Sequence, residues 1–298
     1  MLPLQWPLAS HRLFTLFLLA SCEAMAETFP PHMKFLLPLF LCLLSLSMAT
    51  SFAADEAAAR KPTVYLIGDS TVKNSTKGQK GWGECLEAEF DLTKIDVANH
   101  ALGGRSSRSF LREGLWDKVL EKIQPGDFLL IQFGHNDGGP MDAEKARASI
   151  KGNGDESREV TIKETGAKET VHSYGWYLRK YAGDAKSKGA TVIICSLIPR
   201  NIWTDKVVRA SDSYGKWASE AATGCGALFL DLNNIIADHY DALGQQKIAT
   251  EFFSTTDHTH TTPEGAAFNA QCVAQGIRKL TDCPLGKLLK PISAKPAS

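Results

Sequence analysis

Val64-Tyr65-Leu66-Ile67-Gly68-Asp69-Ser70-Thr71-Val72 begins as an apolar, β-branched run, breaks at a glycine and turns polar at once. Such a run, without polar alternation, reads as a strand buried on both faces, the habit of parallel sheets. Gly68 allows a sharp turn, so Asp69 and Ser70 stand at the carboxyl end of the strand. Two later stretches repeat the pattern. Ile95-Asp96-Val97-Ala98 runs toward Gly103-Gly104-Arg105-Ser106, and Phe128-Leu129-Leu130-Ile131-Gln132-Phe133 runs into Gly134-His135-Asn136-Asp137. In an open α/β sheet, ligands gather outside the carboxyl ends of the strands. One rim therefore receives Ser70, Gly104 and Asn136.

Working outward, strand and helix signals alternate. An amphipathic segment lies around Trp82–Phe90. A single helix is expected over about Ser109–Ile123, where Phe110, Leu111, Leu115, Trp116, Val119 and Ile123 recur at helical spacing. Gln124-Pro125-Gly126-Asp127 stops it. Strands Thr191–Leu197 and Ala227–Leu230 follow helical stretches at Tyr174–Lys188 and Asp212–Thr223, and a last helix starts at Pro263 with Thr262 as its N-cap. Alternating β and α with continuous apolar strands predicts a three-layer α/β/α fold with a flavodoxin-like, five-stranded parallel sheet. An insert, residues 138–172, interrupts this order. Glu159-Val160-Thr161-Ile162-Lys163, a Gly166 turn and Glu169-Thr170-Val171-His172 alternate like a hairpin. Its place just after a rim motif makes it a candidate wall or lid.

The first 53 of the 298 residues stand outside this pattern. Met33-Lys34, the apolar run Phe35–Met48 and Ser51-Phe52-Ala53 read as a secretory signal, with Met33 as the true start. Leu19-Ala20-Ser21-Cys22 is the alternative, a lipoprotein box that would anchor the chain through Cys22. The organisation expected is a leader at 1–53, a linker at 54–61, one α/β domain at 62–282 that contains the insert, and a tail at 283–298. The protein is then secreted or periplasmic, with no stable membrane span once the signal is cleaved. Thirty-three basic residues balance 33 acidic ones, so charge gives no argument for nucleic acid as a partner. Arg105, Arg108 and Arg112 cluster, either to face an acidic substrate or as a solvated helix face.

Of seven cysteines, Cys22 and Cys42 fall in the leader. Cys195 sits inside an apolar strand and reads as core. Cys272 and Cys283 are the best candidate for a disulfide, and Cys85 and Cys225 complete the odd set of five. No Cys/His spacing suggests zinc.

Ser70 needs a base before its hydroxyl can attack. His260 follows Asp257 by three residues, close enough for the carboxylate to hold Nδ1–H and leave Nε2 for Ser70. Gly104, lacking a side chain, can bring a backbone N–H to an oxyanion, Asn136 can offer its amide, and Ser70 its own N–H. Each residue has a plainer reading: a helix N-cap for Ser70, a turn glycine for Gly104, a turn cap for Asn136. Asp257, His258 and His260 together also permit a metal site, although no further ligand cluster accompanies them. A flavodoxin-like nucleotide binder would need a phosphate-cradling loop, which Asp69-Ser70-Thr71 with Lys73 fits only weakly, and neither Walker nor dinucleotide spacing occurs.

Together, Gly-Asp-Ser-Thr-Val at 68–72, Gly-Arg-Ser-Ser-Arg-Ser-Phe at 104–110, Gly-His-Asn-Asp at 134–137 and Asp-His-Thr-His-Thr-Thr-Pro-Glu-Gly-Ala at 257–266 resemble the conserved blocks of the SGNH (GDSL-type) hydrolases. The fuller wording is similar to the rhamnogalacturonan acetylesterases, over nearly all of Pro62–Leu280. The resemblance implies a Ser70–His260–Asp257 triad, an oxyanion hole of Ser70, Gly104 and Asn136, no metal and no cofactor. It also implies removal of acetyl groups from a pectic polysaccharide as substrate. The alternatives are a broad esterase or lipase acting on small acyl esters, or a carbohydrate-binding protein of the same fold without turnover. Tyr174, Trp176, Tyr177 and Trp203 are placed either to stack on sugar rings or to fill the core. Arg200 is placed to meet a galacturonate carboxylate.

Overall fold

A computed structural model of the chain describes residues 60–291, Glu144 excepted. The leader, Cys22, Cys42 and the cleavage site expected after Ala53 lie outside the described residues. From Lys61 onward the described residues form one compact unit.

Strands β1 (Thr63–Gly68), β2 (Asp96–Asn99), β3 (Phe128–Gln132), β6 (Thr191–Cys195) and β7 (Leu228–Leu230) form a parallel sheet in the order β2-β1-β3-β6-β7. The flavodoxin-like order places the topological switch point between β1 and β3. Alternation along each strand feeds two cores. Val64, Leu66, Phe128, Leu130, Ile193 and Cys195 point to one, and Tyr65, Ile67, Leu129, Ile131, Val192 and Ile194 to the other. The second core is closed by α1 (Ser107–Arg112), α2 (Leu115–Leu120), α3 (Tyr174–Ser187) and α4 (Tyr214–Cys225). The first is closed by α5 (Leu232–Leu243) and α6 (Pro263–Lys279), together with Trp82, Leu86 and Phe90. The result is the three-layer α/β/α arrangement.

Several local expectations are corrected. The single helix over Ser109–Ile123 is two helices, because Gly114 adopts φ 66° between them and a left-handed residue ends a helix. The amphipathic segment at Trp82–Phe90 folds as two 3₁₀ turns, Trp82–Glu84 and Leu86–Glu89. Helix α5 was not expected. Its apolar positions Leu232, Ile236, Ala237 and Tyr240 have helical spacing, and Asp231 caps it by accepting from Asn234 N. Its start directly after β7 obscures that signal. Thr262 caps α6 at Pro263 by accepting from Gly265 N, as expected.

The insert holds an antiparallel hairpin, β4 (Ser157–Thr161) and β5 (Lys168–His172). The arginine cluster does not form a solvated face. Arg108 is fully buried and grips Glu169 of β5 with Nε and Nη2 at 2.8 and 2.6 Å. Its Nη1 donates to the carbonyls of Met141 and Ala148, both at 2.8 Å. Arg105 pairs with Glu113 at 2.8 Å, and Arg112 donates to Ala146 O at 2.7 Å. Arg108 and Arg112 tie the insert to α1.

The five cysteines among the described residues are free thiols, so the expected Cys272–Cys283 bridge is not formed. Burial pushes the Cys195 and Cys272 thiols up to about 12, which keeps them protonated and unreactive. In the segment expected as a tail, Leu285 and Leu289 are buried in the first core. Among the described residues no helix is long and apolar enough to cross a membrane.

Candidate active site

Ser70 follows β1 directly, in a turn where the Asp69 carbonyl accepts from both Val72 N and Lys73 N at 3.1 Å. The turn is locked from below. Asp69 Oδ1 accepts from Thr71 N at 2.9 Å and Thr71 Oγ1 at 2.7 Å. Gln132 Nε2 donates to Thr71 Oγ1 at 2.7 Å, and Trp82 Nε1 donates to Gln132 Oε1 at 2.8 Å. Two glycines are needed for space. A Cβ on Gly68 would lie 2.5 Å from Gln132 O, and one on Gly81 would lie 2.2 Å from the carbonyl carbon of Val72. The neighbouring backbone thus fixes the serine in place.

Asp257 and His260 lie on a strand, β9 (Asp257–Thr261), paired antiparallel with β8 (Phe253–Ser254) rather than on a free loop. His260 Nε2 is 2.8 Å from Ser70 Oγ, and His260 Nδ1 is 2.7 Å from Asp257 Oδ2. An ionised carboxylate only accepts, so Nδ1 carries the hydrogen and Nε2 accepts from the serine hydroxyl. Asp257 Oδ1 takes Thr259 N at 2.8 Å and His260 N at 3.0 Å, and Oδ2 takes Gln79 Nε2 at 2.9 Å. Burial alone would raise the Asp257 pKa. The bonds from the His260 ring and from the His260 and Thr259 amides outweigh it and hold the carboxyl well below the usual carboxylate range.

The Gly103–Gly104 turn leans on Ser70, since a Cβ on Gly103 would sit 3.6 Å from Ser70 Cβ. Gly104 has φ 77°, a left-handed conformation that favours glycine. Asn136 Nδ2 donates to Arg105 O at 2.9 Å, which binds the loop after β3 to this turn. That contact uses one of the two amide hydrogens and leaves the second. Arg147, from the insert, donates Nη1 to Gly104 O at 3.3 Å. Ser70, Gly104, Asn136, Asp257 and His260 therefore converge on one rim, around the switch point of the sheet.

Other residues of the motifs have supporting places. Asp137 is buried and accepts from Ser107 N at 3.1 Å, from Ser107 Oγ and from Ser149 Oγ at 3.2 Å. Its burial pushes the pKa up to about 7. Burial likewise drives His135 down to about 4, so the ring is neutral near pH 7. His258 is exposed. Among the described residues no group of three or more His, Cys, Asp or Glu is placed to hold a metal ion. Tyr174 and Tyr177 are buried, Trp176 stacks on His172 with ring centroids 3.8 Å apart, and half-buried Trp203 donates to Asn201 Oδ1 at 2.7 Å. The sequence did not disclose Gln79 or Arg147 as parts of this site. Polar residues in a Lys/Gly/Ser-rich loop or a charged insert carry no pattern that marks them.

Residues 66–268 match the model of the GDSL-like lipase/acylhydrolase family. A rhamnogalacturonan acetylesterase of Emericella nidulans is 34% identical over 238 residues, covering 80% of this chain and 90% of the relative. A probable rhamnogalacturonan acetylesterase of Bacillus subtilis is 30% identical over 223 residues, covering 73% and 93%. Among solved structures, the YxiM protein of Bacillus subtilis superposes with a TM-score of 0.59 at 23% identity, over 74% of this chain and 56% of that one. That likeness supports the fold, and the family match spans all three strand-end motifs and the Asp257–His260 hairpin. The chain belongs to the GDSL-like lipase/acylhydrolase family of ester hydrolases.

Proposed function

We propose that this protein is a serine carbohydrate esterase that removes acetyl groups from rhamnogalacturonan or a related plant polysaccharide. The observation that carries the chemistry is the continuous chain Ser70 Oγ–His260–Asp257, with links of 2.8 and 2.7 Å. The substrate class rests on the relatives named rhamnogalacturonan acetylesterase.

Ser70 Oγ attacks the acetyl carbonyl carbon while His260 Nε2 takes the hydroxyl proton. The negative charge passes to the carbonyl oxygen, where the Ser70 and Gly104 N–H groups and the Asn136 amide hold it. As the oxyanion collapses, the bond to the sugar oxygen breaks and His260 returns the proton to that oxygen. Water, deprotonated by His260, then attacks the acetyl-serine, and acetate leaves as Ser70 recovers its proton. Asp257 keeps the imidazole in the productive tautomer throughout.

The test is acetate release from acetylated pectins and xylans, with aryl esters of short and long acyl chains in parallel. Release from the rhamnogalacturonan-rich pectin, lost in Ser70→Ala, is the expected result. Turnover confined to aryl or long-chain esters would replace this reading with a broad esterase. We further propose that residues 33–53 direct export, which predicts a mature N-terminus at Ala54 in protein recovered from the periplasm or medium. A mature chain retaining Met33, or one lipidated at Cys22, would refute that cleavage site.

A further inference from the structure

We propose that Arg200 recognises a uronate carboxylate of the bound chain, so that the site selects uronate-bearing chains. The inference rests on the esterase reading above and deepens it. After β6 the chain crosses the rim, and Arg200 enters the wall of a cleft of about 340 Å³ together with Gly134, His135 and Tyr214. Two contacts place this wall next to the reacting groups. Arg200 Nε and Nη2 lie 3.4 Å from His135 Nδ1 and His135 O, on the loop that carries Asn136. The next residue, Asn201, donates its N–H to His258 O at 2.8 Å, on the strand that carries His260. Arg200 thus stands between the loop that supplies the amide and the strand that supplies the imidazole.

Its charge is uncompensated. Among the described residues no carboxylate lies within ion-pair distance of Arg200, and its Nη1 makes no hydrogen bond. The contacts to His135 are at the long end of the hydrogen-bond range, and the neutral His135 ring offers no negative charge. Arg209, in the same cleft, is by contrast neutralised by Asp238 at 2.6 Å and Asp241 at 2.7 Å. A half-buried guanidinium with free donors is suited to a planar carboxylate, which it can grip with parallel hydrogen bonds. The cleft also exposes Ile202 and Val208, at 40% and 45%.

The experiment compares two acetylated oligosaccharides of one backbone, one with free carboxylates and one with those carboxylates methyl-esterified. Wild type should prefer the free acid by about tenfold or more in kcat/KM at low salt, and the preference should shrink as salt rises. In Arg200→Gln the ratio of the two substrates should fall to near one, and Arg200→Lys should keep an intermediate ratio. A full wild-type ratio in Arg200→Gln, or no preference in wild type, overturns the assignment. Calorimetric binding of the unacetylated free-acid oligomer to wild type and both variants supplies an arm without turnover. There Arg200→Gln should bind about tenfold weaker or worse, and equal binding rejects the inference. If neither acetylated oligomer releases acetate, the proposed substrate is wrong, and the binding arm still decides whether Arg200 reads a carboxylate. Melting curves identify a misfolded Arg200→Gln, in which case the wild-type ratio and Arg200→Lys carry the decision.

Discussion

Replacing Glu169 by Gln removes one charge from the insert and almost nothing of its shape. Arg108 is fully buried and Glu169 is 16% exposed, so the variant leaves a guanidinium in the interior without its counter-ion. The amide also turns one NH₂ donor toward donors that both carboxylate oxygens now accept, at 2.8 and 2.6 Å. Breaking a buried pair in this way costs about 3–5 kcal/mol. Partial exposure of Glu169 lowers the figure, and we expect about 2–4 kcal/mol. Arg108→Met should cost a similar amount, since it leaves Glu169 to the longer contact with Arg112 Nη1 at 3.6 Å and strands the carbonyls of Met141 and Ala148. Because both substitutions lose the same pair, the double variant should be destabilised by about 2 kcal/mol less than the sum of the singles. The assay is urea unfolding at constant m, with hydrogen exchange over 157–172 as a local readout. A Glu169→Gln cost below about 1 kcal/mol, the level of an exposed pair, would refute the argument that this charge pair holds the hairpin down.

Ser70→Ala should stay folded while its deacetylation rate falls about a thousandfold or more, and wild-type turnover in the purified variant would sink the assignment. His260→Ala should be comparably damaging and His258→Ala mild; the opposite ranking would show that the wrong imidazole has been chosen as base. Gly81→Ala drives a Cβ to 2.2–2.4 Å from backbone atoms of Val72 and Lys73. Overpacking of this kind costs about 1–3 kcal/mol or more and should displace the Ser70 turn, so a variant with native melting temperature and rate contradicts the steric account. Asp137 has its folded pKa raised to about 7, so its contribution is full below about pH 4, where the unfolded chain is also protonated, and is lost as pH rises through 7. That is on the order of 4 kcal/mol of stability declining across pH 4–7. The wild-type minus Asp137→Asn difference in unfolding free energy should show this slope, and a pH-independent difference would mean that Asp137 is ionised throughout.

The strands were legible because burial on both faces leaves a continuous apolar run, and the rim followed from the residues at their ends. Helix α6 was legible because Thr262 and Pro263 mark its start chemically. The segment after β2 was misread because Phe110 to Ile123 keep a helical period while Gly114 breaks the backbone. Periodicity reports which face is buried, not whether hydrogen bonding is continuous. The arginine cluster failed for a related reason. Arg108 is neutralised by Glu169, 61 positions away across an insert, and no local pattern encodes such a pairing. The triad residues were visible as types and spacings, whereas Gln79 and Arg147 act through single long-range bonds from loops.

Those unmarked contacts explain how the proposed nucleophile and base, 190 positions apart, hold a 2.8 Å bond. Ser70 is fixed to the sheet through Thr71, Gln132 and Trp82. His260 is fixed to Asp257, and Asp257 to Gln79, which Asn74 orients by donating to its Oε1 at 2.9 Å. Lys80 and Thr261 then exchange bonds, with Lys80 N to Thr261 O at 3.0 Å and Thr261 Oγ1 to Lys80 O at 2.9 Å. Trp82 N donates to Thr71 O at 3.0 Å and closes the circuit back to the residue after the serine. Residues 70–82 and 257–261 are thus a single hydrogen-bonded ring that contains both reacting groups. Neither group needs its position fixed by substrate, and that pre-organisation is what an acyl transfer requires of its nucleophile and base.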